Sequence, residues 1–460
     1  MTAPATVSVG AVAPPAAPIR TGIVVALVSA HIPIGLAMQA SPALASAQAY
    51  LTILVVIAIL FGASTPAPVV AAAAYVAGAE VLWRQTSAAV PWEVSKYLLI
   101  AVFAAGVIRF LGRPQRAVAV GLFLAALAPA AVIPVVRDGL TGAIDPLAFN
   151  LAGLVGLAVG VLLLGRLAGT WESLSPVPWM LVAPVTATAA ISAASLRGLG
   201  PSDFFNDSNF RAAGGFGPNQ VSAILGLGVV LLVLVAARES RRSLQLLAVT
   251  LAVWFLVQAL LTFSRGGVLN IVVALLVALP FLVARRETGP RAALLVVVAM
   301  VSLALLLPSL ESLTGDKLGQ RFTDTRQADK RSELIAADFH TFTEHSLLGV
   351  GVGEAEHHRG DRLVIASHTE YTRLLAEHGM LGIVALACLG AMVVAAFRRQ
   401  RTAFGLAWTA ALVAWSLTEL WHASTRLAAT PFAFALGSFT IVAVAAADRD
   451  GPRHHTATEP

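Results

Sequence analysis

The sequence predicts an all-α polytopic membrane protein, with about 12–14 transmembrane helices and one large extracytoplasmic loop between late spans. Three observations carry this reading. The chain of 460 residues is 57% hydrophobic and 12% charged, whereas a soluble domain carries about 25% charged residues. Its mean hydropathy is +0.80. Apolar runs of spanning length follow one another with few residues between them, and lipid obliges each such run to satisfy its own backbone as a helix. The regular ten-residue alternation of an outer-membrane barrel is absent.

Taken in order, residues Met1 to Pro18 are rich in Ala, Pro and Val and are not expected to fold. Thr21 to Met38 is the first span. Ala45-Ser46-Ala47 resembles a signal-peptidase site, but the apolar stretch is long and only Arg20 precedes it as a positive charge. A retained first helix fits better than a cleaved signal. Tyr50 to Phe61 and Val69 to Trp83 are short and separated by Thr65-Pro66-Ala67-Pro68, so they read as two spans or as one re-entrant hairpin. Spans follow at Tyr97 to Leu111, Ala117 to Val136, Leu147 to Leu164 and Val177 to Ala194. A polar loop, Leu196 to Gly217, precedes Pro218 to Ala237, Leu246 to Thr262, Val268 to Ala284 and Ala292 to Leu307. The last three spans are Tyr371 to Phe397, Ala403 to Trp421 and Pro431 to Ala447. Residues 1–460 thus read as one integral membrane domain, with residues 309–370 as its large loop.

Charge orients these spans. The net charge is +6, but the arginines stand in short clusters between spans, such as Arg238, Arg241 and Arg242, or Arg398, Arg399 and Arg401. That is the positive-inside pattern, not a nucleic-acid face. It predicts a multi-pass membrane protein with both termini in the cytoplasm. The 196–217 loop, the 264–267 turn, the large loop and the 421–430 turn then lie outside. Cys388, the single cysteine, falls inside a span and reads as core packing.

Between Ser309 and Thr372, seven Lys and Arg face eleven Asp and Glu, with five of the ten histidines. A segment of this length is usually functional or disordered. Within it, Leu334, Ala337, Phe339 and Phe342 have helical spacing, which predicts a helix over 329–343 lying on the membrane surface.

Four elements on the predicted outer side carry candidate chemistry. Ser367 and Glu370 stand at capping-box spacing, which predicts Ser367 as N-cap and His368 in the first helical turn. The positive end of the helix dipole keeps that imidazole neutral, as a general base requires. The plainer reading of a lone histidine there is a solvated border residue. In Ser264-Arg265-Gly266-Gly267, Ser264 can cap a helix, Arg265 offers a planar fork, and the glycines would let a bulky anion approach the backbone. The plainer alternative is a snorkelling arginine beside a tight turn. In the stretch Arg211 to Asn219, Pro218 suits the first position of a helix, with Asn219 in its first turn. A flexible glycine-rich approach explains it as well. Finally, Glu419 near a helix end is costly in lipid unless it meets His422, Arg426 or a substrate hydroxyl. The run Gly349 to Gly353 follows a helical segment, not a strand, and reads as a turn passing close to membrane or glycan. Glu354, Glu356, His357 and His358 read as solvated polar residues, not as a metal site.

The pattern His368, Thr369, nine residues, Gly379, two residues, Gly382 resembles the His-(Asn/Ser/Gln)-x9-Gly-x2-Gly motif of bacterial O-antigen ligases and polymerases. Thr369 stands where that family has Asn, Ser or Gln. The 264–267 turn and the 211–219 loop are similar to the family's two other signatures. The resemblance implies an inverting, metal-independent glycosyl transfer with no cofactor. The implied donor is a glycan on undecaprenyl diphosphate, and the acceptor a glycolipid or glycan. In that picture Arg265 and Arg211 clamp the diphosphate and His368 takes the acceptor proton. Arg331 and Arg321 hold the diphosphate or order the loop. Asn219, Ser264, Glu419, His422 and Arg426 line the substrate site.

Two rival readings use the same chain differently. A polymerase would take a second lipid-linked repeat as acceptor. A lipid-linked glycan transporter would need polar groups deep in many spans, whereas these spans read as clean apart from His31. A scaffold would need neither the arginines nor the helix-start histidine.

Overall fold

The computed structural model describes residues 19–111, 117–205, 207–284, 289–323, 326–359 and 369–443. It is an all-α membrane protein. The helices are α1 (Thr21–Ala40), α2 (Pro42–Gly62), α3 (Pro66–Gln85), α4 (Val94–Phe110), α5 (Val118–Leu164), α6 (Trp171–Leu174), α7 (Pro176–Ser195), α8 (Pro218–Arg238) and α9 (Arg242–Leu261). They continue with α10 (Arg265–Val283), α11 (Gly289–Thr314), α12 (Lys317–Thr323), α13 (Arg326–Glu344), α14 (Glu370–His378), α15 (Met380–Arg399), α16 (Ala403–His422) and α17 (Ala429–Gly437). Among the described residues, ten helices are long and apolar enough to cross a membrane.

The early pair of short apolar runs is two full helices. Pro42 opens α2 eight residues before Tyr50, with Ser41 accepting from the Leu44 amide, and Pro66 opens α3 at its first position. The longest helix, α5, has 47 residues. As a straight rod it would reach about 70 Å, about twice a hydrocarbon core. Gly139 breaks it with φ 72 and ψ 169, leaving the two spans that hydropathy indicates. The helix expected over 329–343 is present within α13.

Two late spans differ from expectation. The 371–397 run is not one helix, because Gly379, at φ 57, separates α14 from α15. A β-carbon there would sit 2.5 Å from the Ser346 carbonyl oxygen and 2.7 Å from the Gly349 amide. Among the described residues of the 431–447 run, helix extends only to Gly437, the end of the nine-residue α17. The indole of Trp408 donates to Leu436 O at 3.0 Å, and the Thr409 hydroxyl donates to Gly437 O at 2.7 Å. Side chains of α16 thus satisfy the terminal carbonyls that another helical turn would have used. The chain then forms a short strand, β2 (Thr440–Ile441), paired in parallel with β1 (Ala168–Gly169).

Packing places α8 at the centre, with 89% of its apolar window buried, and leaves α2 peripheral, at 17%. Small residues let helices approach closely, as membrane bundles require. A β-carbon on Gly78 of α3 would lie 2.5 Å from the Leu181 carbonyl oxygen of α7. Cys388 is buried in the cluster around Phe123, Leu389 and Phe434, as expected of a packing residue.

Gly78→Val is expected to lower the thermal transition of the detergent-solubilised protein, since overpacking costs about 1–3 kcal/mol. An unchanged transition would show that α3 and α7 can separate without penalty.

Candidate functional site

The site is built from one end of the bundle. At the α9–α10 turn, Phe263 adopts φ 59, a left-handed conformation unusual for a non-glycine residue. Its ring is fully buried against Phe204, 5.3 Å between centroids. The turn aims the Phe263 carbonyl at Arg321 of α12, whose Nε donates to it at 2.9 Å. The neighbouring Thr262 carbonyl accepts from the Asn209 amide at 2.8 Å. Loop 201–217 and helix α12 are thereby fixed to the same turn.

Ser264 is the N-cap of α10, as expected, but its hydroxyl does not cap. It donates to Asn219 Oδ1 at 2.8 Å instead. Asn219 stands at the second position of α8, after Pro218. Two of the three sequence signatures therefore meet in one hydrogen bond. Arg265 follows, half-buried, at the first position of α10. Arg211 is exposed and paired with Asp203 at 2.5 Å. Such exposed pairs contribute about 0–1 kcal/mol, so an anionic ligand can compete for this arginine.

The glycines of that turn do not make room for an anion. A β-carbon on Gly266 would lie 2.5 Å from Cε1 of His422, and one on Gly267 would lie 2.1 Å from the Ser222 hydroxyl. The space the glycines leave is filled by α16 on one side and by α8 on the other. Close helix packing explains them.

His422 Nε2 is 2.8 Å from Asn270 Oδ1 and 3.5 Å from Glu419 Oε2. The Asn270 amide donates to the same Glu419 carboxylate. All three are buried. The Glu419–His422 pairing is the one the sequence allowed. The bridging Asn270 was missed. Its signal was available, since it lies four residues after Gly266 and so on the same face of α10. A carboxamide inside an apolar span is itself a functional candidate.

Near the end of α16, the loop carrying Arg426 reaches α14. Ser424 donates to the Glu370 carboxylate, which also pairs with Arg373. Arg373 in turn donates to Glu377 at 2.7 Å and to the Asn150 carbonyl at 3.0 Å. Burial pushes the Glu377 carboxyl up to about 7, against the pull of Arg373. Burial draws Arg426 below the usual arginine range. Glu419 opposes that shift, Arg373 adds to it, and Glu370 and Glu356 oppose it.

The helix begins later than the capping-box spacing predicts. Helix α14 begins at Glu370 with Thr369 as N-cap, and the Glu370 carboxylate is engaged by Arg373 and Ser424. Ser367 and His368 lie outside the described residues. Arg331 lies on α13.

Gly349–Gly353 is a packing clamp. Val350 N donates to Ala376 O at 3.0 Å, and Gly351 N to Glu377 O at 3.1 Å. Gly351 rests on Ile133 and Pro134, and Gly353 on Pro146 and Asn150, so the run touches α5 on both sides of its kink. Glu354 is likewise not solvated. It is buried and accepts from Arg137 at 2.5 and 2.6 Å. A fully buried pair, Asp338 with Arg359 at 2.5 Å, carries no signal in local spacing.

Nor are the spans as clean as hydropathy suggested. Glu80, Glu93 and Lys96 are buried around α3 and α4. Glu80 pairs with Arg84 at 2.9 Å, and Lys96 with Glu93 at 2.6 Å. The i, i+4 spacing of Glu80 and Arg84 was a legible ion-pair signal.

The fold and this gathering of polar groups define a polytopic membrane protein with a polar site at one end of an apolar bundle. Residues 250–387 match the family model described as O-antigen ligase, and that segment is similar to the O-antigen ligase superfamily. No curated protein and no solved structure matches the chain. The matched segment contains Ser264, Arg265, Asn270, Arg321 and His368. Arg211, Asn219, Glu419, His422 and Arg426 lie outside it.

Asn270→Ala leaves the Glu419 carboxylate and the His422 ring without their bridge. The expected loss of stability is about 1–3 kcal/mol, read as a lower thermal transition in detergent. Adding Glu419→Gln should recover part of that loss, because an amide is less costly to bury than a charge.

Proposed function

We propose that the chain is an O-antigen ligase-like glycosyltransferase. It moves a glycan from undecaprenyl diphosphate to a hydroxyl acceptor, with inversion, at the outer face of the bacterial plasma membrane. The observation that carries this reading is the meeting of Ser264, Asn219, Arg321, Asn270, Glu419 and His422 around the α9–α10 turn, in and beside the family-matched segment. The positive-inside distribution of arginines supports the orientation.

The chemistry follows from the residues. As the acceptor oxygen bonds to the anomeric carbon, the bond from that carbon to the phosphate oxygen breaks. The diphosphate leaves with the electron pair. Arg265 and Arg211 supply positive charge where that negative charge develops. His368 takes the proton released by the acceptor hydroxyl. It immediately precedes Thr369, the N-cap of α14, and α14 is tied by Ser424 to the loop bearing Arg426. Arg321 acts through position, because its Nε holds the Phe263 carbonyl and thereby the turn that presents Arg265. Arg331 on α13 contributes further positive charge toward the diphosphate.

Transfer from a lipid-linked glycan donor should fall about 10²-fold or more in Arg265→Ala and in His368→Ala. Wild-type rates in both folded variants would remove these roles. A strain lacking the gene separates ligase from polymerase. Full-length polymer accumulating on undecaprenyl diphosphate supports the ligase. Single repeats still reaching the acceptor support the polymerase. An unchanged gel of surface and lipid-linked glycan counts against both.

A further inference from the structure

A cavity of about 300 Å³ lies between the end of α3 and the start of α4, lined among others by Glu80, Trp83, Arg84, Trp92 and Ser95. That volume is at the lower end of the range for small-ligand pockets, about 300–1,000 Å³. None of these residues belongs to the family-matched segment. The cavity nevertheless adjoins the site already described. Arg84 Nη1 donates to the Arg426 carbonyl at 3.3 Å, and Glu80 Oε2 accepts from the Ala428 amide at 2.6 Å. From the same helix, Gln85 donates to the Ala213 carbonyl at 2.9 Å, inside the glycine-rich 211–217 loop.

The walls are chemically specific. Trp92 is 54% exposed, with its ring 4.4 Å from the Arg84 guanidinium. Trp83 is buried and held by its indole N–H, which donates to Gln48 Oε1 at 2.6 Å. Arg84 Nη2 donates to the Trp92 carbonyl at 2.8 Å. Yet Arg84 Nε has no hydrogen-bond partner among the described residues, and Glu80 Oε1, itself fully buried, makes none beyond its ion pair with Arg84. The cavity is thus walled by two indoles and by the Glu80–Arg84 ion pair, an aromatic and polar lining of the kind that recognises a hydroxyl-bearing ring.

Charge decides the class of ligand. Glu80 and Glu93 face Arg84 and Lys96 in a linked set, with Arg84 Nη2 2.9 Å from Glu80 and 4.0 Å from Glu93, and Lys96 2.6 Å from Glu93. Two acids and two bases leave no surplus positive charge, so a phosphate or diphosphate would find each cation already balanced by a carboxylate. A neutral, hydroxyl-bearing ring with an apolar face suits both the indoles and the charge-balanced Glu80–Arg84 pair.

We propose that this cavity is a subsite for a neutral pyranose of the glycan substrate, held beside the transfer site by α3 and α4. The proposal rests on the reading of the protein as a glycan transferase.

The test is saturation-transfer NMR on the full-length protein in detergent micelles. The probes are the methyl α-pyranosides of glucose, galactose and mannose, with inorganic pyrophosphate as competitor. Ring protons of at least one glycoside should receive saturation, and pyrophosphate should not displace it. Trp92→Ala should weaken the apparent affinity about fivefold, the scale of one lost aromatic contact. Ala88→Phe, which fills the cavity from its wall, should weaken it at least as much. A size-exclusion profile and thermal transition like those of the wild type establish that each variant is folded. No saturation of any glycoside by wild type, unchanged affinity in both variants, or displacement by pyrophosphate would overturn the proposal. Arg265→Ala separates the two readings, because it should abolish transfer while leaving the glycoside signal intact. Loss of the glycoside signal in the wild type with Arg265-dependent transfer preserved would sink the subsite alone.

Discussion

Glu419 is a carboxylate held almost wholly out of water at the end of a membrane helix, and the candidate site is arranged around that cost. An isolated buried charge would be destabilising by several kcal/mol. Here it is met by the Asn270 amide and by His422. For those groups to reach it, α10 must lie directly against α16. The absence of side chains at Gly266 and Gly267 permits this, since a β-carbon at either would strike His422 or Ser222. The same approach sets the α9–α10 turn beside α8, so that Ser264 finds Asn219. One packing constraint therefore places the turn, the arginine that follows it and the polar end of α16.

A second clamp works through backbone. Gly349 and Gly379 approach each other at a break between α14 and α15, and the adjacent run bonds along the end of α14 and rests on both sides of the α5 kink. This positions α14, whose Glu370 and Arg373 connect to Ser424 and to the Asn150 carbonyl. The two glycines of the His368 motif, Gly379 and Gly382, are thus explained by architecture. A β-carbon on Gly382 would lie 2.1 Å from the Leu374 carbonyl oxygen. Motif glycines in this protein hold helices together around the polar residues.

Much of this was legible in the residues. Hydropathy located the spans, because lipid tolerates little but apolar helix, and Pro218 correctly placed Asn219 in the first turn of α8. What was misread shares one cause. Local spacing makes Ser264 a side-chain cap, but spacing says nothing about a more distant partner. Ser264 found Asn219, 45 positions away, and Glu370 found Arg373 and Ser424. Likewise Glu354 reads as solvated because it stands in a polar stretch, whereas the structure folds that stretch onto α5 and α14.

By itself, the sequence determined the class of protein and the residues from which a site could be made. Its composition admits only a helical bundle in lipid, and many of its charged residues stand near helix ends. Which of those residues meet was decided by the tertiary structure. Asn270 between Glu419 and His422, Arg321 against the Phe263 carbonyl, and Arg84 beside Arg426 join positions far apart in the chain. The physical reason is that hydropathy and local periodicity report how each segment faces its solvent, while a buried polar group is satisfied by whichever segment packs against it.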